Sequence, residues 1–172
     1  EIRRAGFLYL LIAHIGAIGI LLGFGVMTGG AGDYCFSAMR AMELTPVWSS
    51  AAFLLALAGF GAKAGLVPLH VWLPEAHPAA PSPVSAMMSG VMLKTAIYGL
   101  LRVSFDLLHT TIWWWGVVAL AVGLATALFG VLYSTVQSDM KRLLAYSSIE
   151  NIGLIAVGIG LALIFHSYRM EG

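Results

Sequence analysis

Four ionisable side chains stand inside long apolar runs of this 172-residue chain: His14, Lys63, Lys94 and Glu150. A charge at the centre of a bilayer costs about 2.5–3.5 kcal/mol on insertion scales, so ionisable groups at that depth mark proton or ion paths. Lys94 follows Pro83, which fixes a helix start, by eleven residues, and Arg102 marks the approach to the far end. At the α-helical rise Lys94 is roughly 16 Å in. A lysine stem reaches only about 6 Å, too short to carry the ammonium to either surface. A lysine moved into low dielectric gives up its proton more readily, because desolvation disfavours the cation, whereas an arginine stays charged. The chemistry on offer is proton transfer.

Lys63 stands five residues before Pro68. A span ending at Pro68 would make Lys63 a snorkelling end residue. However, Leu69-His70-Val71-Trp72-Leu73 continues apolar, so Gly65-Leu66-Val67-Pro68 reads as a helix break inside the membrane. Proline lacks the N–H and clashes with the carbonyl four residues back, here that of Ala64. Carbonyls freed at such a break can bind water or cations. His14, in mid-span, fits either a hydrogen-bonded packing residue or a relay that titrates near neutrality. Glu150 follows Arg142 by eight residues, roughly 12 Å into its span. It fits either a carboxylate paired for structure or a relay member, and in both cases should face the bundle interior. His70, Glu75 and His77 match no zinc spacing. Five of the six prolines fall between Pro68 and Pro83, so that stretch is expected to be a rigid, irregular loop joining helices.

The elements that must hold these groups follow from composition. The chain is 60% hydrophobic and 10% charged, against about 45–50% and about 25% in globular domains. A water-soluble domain of this size could not hide so much apolar surface. A net charge of +1 offers no patch for nucleic acid. The single cysteine, Cys35, excludes an intrachain disulfide and a cysteine-ligated metal held by this chain alone. No cofactor site is legible. A bilayer needs roughly 20 apolar residues per helix, and five stretches qualify: about 5–27, 47–73, 84–105, 112–136 and 143–165. Unbroken apolar runs make these helices rather than alternating barrel strands. Small residues such as Gly16, Gly19, Gly59, Gly61, Gly153, Gly158 and Gly160 suit close helix packing in lipid. The fold class is therefore an all-α, polytopic transmembrane bundle of five spans, the second broken near Gly65 and Pro68. With five spans, Arg3, Arg4, Lys141 and Arg142 share one end, and Arg40, Arg102 and Arg169 the other. The first group, in two adjacent pairs at helix starts, is expected to be cytoplasmic. Trp113-Trp114-Trp115 is expected to anchor the fourth span in an interfacial aromatic belt. The chain starts at Glu1 with no signal-peptide pattern and is read as a piece of a longer membrane protein.

The run Phe60-Gly61-Ala62-Lys63-Ala64-Gly65-Leu66-Val67-Pro68-Leu69-His70-Val71-Trp72-Leu73-Pro74-Glu75-Ala76-His77 resembles the signature of the antiporter-like subunits of respiratory complex I and its relatives. The resemblance continues through Ala80-Pro81-Ser82-Pro83-Val84-Ser85-Ala86 and Leu93-Lys94-Thr95-Ala96-Ile97-Tyr98-Gly99-Leu100-Leu101-Arg102 to Asp139-Met140-Lys141-Arg142-Leu143-Leu144-Ala145-Tyr146-Ser147-Ser148-Ile149. Glu150-Asn151-Ile152-Gly153 and the first span are similar to the hydrogenase-linked branch, that of formate hydrogenlyase subunit 3 and hydrogenase-4 component B. Complex I members usually carry His or Gln near this point, which makes Glu150 the substitute candidate here.

The resemblance implies a fragment of a larger bundle built on two inverted five-helix repeats, with the spans here as its sixth to tenth helices. It implies that Lys63, at the break, and Lys94 carry protons, with His14 and Glu150 as side relays. It implies a proton-translocating membrane subunit of a hydrogenase or NADH:quinone-oxidoreductase-type complex in a bacterial or archaeal plasma membrane. Redox chemistry would then belong to partner subunits. The second reading is a subunit of a multicomponent sodium/proton antiporter, in which sodium joins protons as cargo.

Overall fold

Inside a bilayer each backbone amide must find its partner within the protein, so long apolar runs become helices. The computed structural model describes residues 2–30, 32–108 and 112–168. Its helices are α1 (Ile2–Met27), α2 (Phe36–Ala41), α3 (Pro46–Ala64), α4 (Trp72–Ala79), α5 (Ser82–Leu107), α6 (Trp113–Ser134) and α7 (Met140–Ser167). Five of them, α1, α3, α5, α6 and α7, are long and apolar enough to cross a membrane, the number expected from sequence; the second ends at Ala64 rather than near residue 73. Arg169, one of the basic residues assigned to the far end, lies outside the described residues.

Local signals set the ends. Pro46 and Pro83 occupy first-turn positions of α3 and α5, where a missing N–H costs nothing. Asp139 caps α7, its Oδ1 accepting from the Lys141 N–H at 2.9 Å. Gly65, at φ +83°, terminates α3 in a conformation that a side chain would strain.

Two antiparallel pairs make the frame: α1 with α3, and α6 with α7. Both are built on backbone-to-backbone approach at glycines. An ideal Cβ at Gly59 would lie 2.7 Å from the Ile20 nitrogen. One at Gly123 would lie 2.7 Å from the Val157 nitrogen and 2.9 Å from the Gly153 oxygen. Lipid offers no hydrophobic drive for association, so this close contact supplies the attraction. Gly158, grouped with Gly153 and Gly160 by sequence, instead faces open space. The short α4 lies against both α1 and α7, and α5 leans on α3, where Gly99 meets the Phe60 ring. At one end Arg40 of α2 donates twice to Asp106 of α5, at 2.9 and 2.7 Å.

Two sequence expectations are corrected. The proline-rich stretch is not a loop throughout, since residues 72–79 form α4. Pro74 sits in its first turn and Pro78 near its end, where few helical bonds are lost. Nor do the three tryptophans act alike. Trp113 is exposed, but Trp115 is fully buried, stacked on Phe53 at 4.8 Å with its Nε1 donating to Ser50 Oγ. Successive helical residues point about 100° apart, so three in a row cannot all face an interface.

Gly123→Ala should destabilise the protein by about 1–3 kcal/mol, because the new methyl meets backbone that cannot step aside. Gly158→Ala should change stability by less than about 0.5 kcal/mol. Thermal unfolding of the two variants in detergent checks the contrast; equal melting temperatures would show that the glycine seam does not hold the pair together.

Candidate functional site

The site is built around the end of α3. The Gly65 and Leu66 N–H groups both turn back to the Gly61 carbonyl, at 2.9 and 2.8 Å, and close the helix. The expected break is therefore present, and α4 starts only at Trp72. Two side chains take up polar groups that the break leaves. Trp72 Nε1 donates to the Ala62 carbonyl at 2.9 Å, and the Val67 N–H donates to Thr126 Oγ1 at 3.1 Å. Thr126, fully buried on α6, in turn donates to its own Val122 carbonyl at 2.6 Å. The break is thus tied to α4 on one side and to α6 on the other.

Lys63 sits in the last turn of α3, at this break, and is half-buried. Among the described residues its ammonium has no hydrogen-bond or ion-pair partner. It borders a cavity of about 40 Å³ with Tyr9, Ala13, Ala62, Trp72 and Met92, room for about one water. It also borders an open groove walled by Val91, Met92, Thr95 and Ala96, the part of α5 that carries Lys94.

Lys94 lies at the middle of α5, as its spacing from Pro83 requires, but on the exposed face. Its Nζ donates to the Ser89 carbonyl at 2.6 Å. Ser89 belongs to a π-helical segment, Met88–Met92, which precedes the α-helical stretch Leu93–Arg102. Such wide turns within α-helices are frequent at functional sites. Ser89 Oγ lies 2.9 Å from Ser148 Oγ of α7.

His14 stands on the exposed face of α1, its Nδ1 2.7 Å from the Leu10 carbonyl of its own helix. Glu150 is half-buried where α7 crosses Gly130 of α6. Among the described residues none of the four groups bonds to another. The groove is lined by Lys63 and by neighbours of Lys94 on α5, but not by Lys94 itself, and neither His14 nor Glu150 lines it.

The end bearing Lys141 and Arg142 is polar. Arg142 lies 3.7 Å from Glu75, and Lys141 Nζ donates to the Ala80 carbonyl at 2.9 Å. His77 is buried, with its Nδ1 2.6 Å from Ser85 Oγ. Burial pushes His77 below the ordinary histidine range, and Lys141 adds in the same direction. Among the described residues no cluster of three His, Cys, Asp or Glu is placed to hold a metal.

Sequence reasoning missed Trp72, Thr126, Ser89 and Ser148. Each carried a signal. A tryptophan beside a break needs a partner for its indole N–H, and lone hydroxyl residues in apolar spans bond backbone or neighbouring helices.

Known proteins share this architecture. The sequence matches the family described as NADH:quinone oxidoreductase/Mrp antiporter, TM, over residues 1–168. It is 51% identical over 163 residues to hydrogenase-4 component B of Escherichia coli, a match covering 94% of this chain and 24% of that protein. A chain of the Mrp complex from Dietzia sp. DQ12-45-1b has a similar structure, with a TM-score of 0.80 at 27% identity, over 95% of this chain and 32% of its own. A chain of respiratory complex I from Thermus thermophilus scores 0.73 at 29% identity, over 95% and 36%. This chain therefore spans about a quarter to a third of the length of these relatives.

Thr126→Val should leave the Val67 N–H without its partner and cost about 1–3 kcal/mol. Thr126→Ser keeps the hydroxyl and should stay near wild type. Chemical denaturation of the detergent-solubilised protein reads both, and a neutral Thr126→Val would show that the break does not depend on α6.

Proposed function

The chain belongs to the NADH:quinone oxidoreductase/Mrp antiporter family of membrane proteins, and on that premise we propose that it carries protons across a membrane as part of a hydrogenase or NADH:quinone-oxidoreductase-type complex. Residues 1–172 would form part of one transmembrane proton-translocating domain, completed by further helices of a longer inverted-repeat chain and by partner membrane subunits. Electron transfer takes place in those partners. The 51% identity to hydrogenase-4 component B favours a hydrogenase-type assembly.

The observation that carries the reading is Lys63, half-buried and without a partner among the described residues, beside a broken helix and a water-sized cavity. An amine there can lose and regain a proton as neighbouring charges change, and the break lets its surroundings shift. Lys94, on the α5 segment whose Val91, Met92, Thr95 and Ala96 wall the groove beside Lys63, is the second carrier, exchanging with Lys63 through water. His14 and Glu150 serve as side relays. The end bearing Arg3, Arg4, Lys141 and Arg142 faces the cytoplasm of a bacterial or archaeal cell, by the excess of basic residues at short connections.

A second reading, a subunit of a multicomponent sodium/proton antiporter, draws support from the structural similarity to the Mrp complex. The two differ in what they need. An antiporter exchanges sodium for protons with no redox turnover, and a redox-linked subunit does not.

Lys94→Met and Lys94→Arg should both abolish proton movement in the assembled complex while leaving assembly largely intact. Methionine has no proton to give, and arginine keeps the charge but not the exchange. Reconstituted vesicles with a pH-sensitive dye report the movement, with redox turnover followed in parallel. Pumping at the wild-type level by Lys94→Arg would reduce Lys94 to a fixed charge.

A further inference from the structure

We propose that Ser89 and Ser148 form a hydroxyl bridge between α5 and α7 that positions Lys94 for proton transfer. The inference rests on Lys94 being a proton carrier, as argued above, and adds the groups that hold it in place.

The geometry is a short chain of contacts. Lys94 Nζ donates to the Ser89 carbonyl at 2.6 Å. The Ser89 hydroxyl lies 2.9 Å from that of Ser148, which lies 2.9 Å from the Leu144 carbonyl one turn back on α7. A hydroxyl has one hydrogen. Ser148 gives its hydrogen to Leu144, so Ser89 is the donor in the pair and Ser148 the acceptor. The residue whose carbonyl receives the lysine is thereby fixed to a different helix.

That fixing matters because this part of α5 is lightly packed, its other side-chain ties to neighbouring helices being Ser85 with His77 and Met92 with Tyr9. No residue of Ser82–Met87 or of the π segment Met88–Met92 is buried. A π turn is also a wide, poorly packed turn that can relax toward α geometry. Without the bridge, the Ser89 carbonyl loses its fixed direction and the Lys94 ammonium its resting place. Hydroxyl bonds between membrane helices are modest but directional, which suits positioning better than bulk stability. Ser148 touches no transferred proton in this arrangement and acts through Ser89, so it is a positioning residue.

The test uses the full-length subunit in its assembled complex, reconstituted in vesicles, with proton movement per redox turnover as the readout. Ser148→Ala and Ser89→Ala should each lower that ratio roughly 2- to 10-fold, the equivalent of one lost hydrogen bond. Ser148→Thr retains an acceptor hydroxyl and should restore most of it. The double variant should fall no further than either single variant, because both remove one bridge. Assembly is checked by subunit content. If Ser148→Ala does not assemble, Ser89→Ala beside wild type decides the question in the same way. Lys94→Met runs in parallel to separate the two claims. An inactive Lys94→Met beside wild-type ratios in both serine variants overturns the bridge alone. A fully active Lys94→Met overturns the carrier reading and the bridge together. Multiplying losses in the double variant, with no rescue by threonine, would show two unrelated packing defects and overturn the bridge.

Discussion

A helix interrupted inside an apolar layer leaves amide groups with no water to bond, and the interruption persists only if the protein supplies partners. The rest of this structure depends on how that is done at the end of α3. Gly61 takes two N–H groups, Trp72 caps the Ala62 carbonyl, and Thr126 receives the Val67 N–H. These bonds reach α4 and α6, so the break is one of the places where the two helical pairs are joined, another being Trp115 of α6 against Ser50 and Phe53 of α3. A buried polar group left unpaired costs about 1–3 kcal/mol, comparable to the effect of a typical destabilising substitution. The lysine next to the break therefore sits in surroundings that are polar enough to be irregular and bonded enough to be defined.

The two antiparallel pairs solve a different problem. Glycines at Gly59, Gly123 and Gly153 bring backbones into contact, which gives close packing where apolar burial gives none. The helices that carry ionisable groups are held less tightly. The first half of α5 buries no residue, and Lys94 lies on a face that this part of the chain leaves open. That openness agrees with a chain that spans about a quarter to a third of its relatives' length.

The spans were legible in the sequence because apolar length is a direct physical requirement of crossing a bilayer. The break was legible too, since Pro68 after Gly65 forbids a continuous helix while Leu69 to Leu73 remains apolar. The helix α4 was not, because Pro74 and Pro78 look like breakers until their places in its first and last turns are known. The inward turn of Trp115 required the rotational setting of α6, which hydropathy does not give. For the candidate site, depth was legible and direction was not. Spacing placed Lys94 at mid-span, but only coordinates show it on an exposed face with its ammonium on Ser89. Contacts such as Ser89 with Ser148 join residues 59 positions apart, and no local pattern announces them.

The central claim is that Lys63 gives up and regains a proton at the break. The most direct measurement is the number of protons moved per redox turnover by a Lys63→Arg complex in sealed vesicles, beside wild type and with assembly verified. Arginine keeps the positive charge but not the exchange, so proton movement is predicted to fall to the background of the vesicles. A wild-type ratio in that variant would contradict the claim, because a fixed charge beside the break would then be all that transport requires.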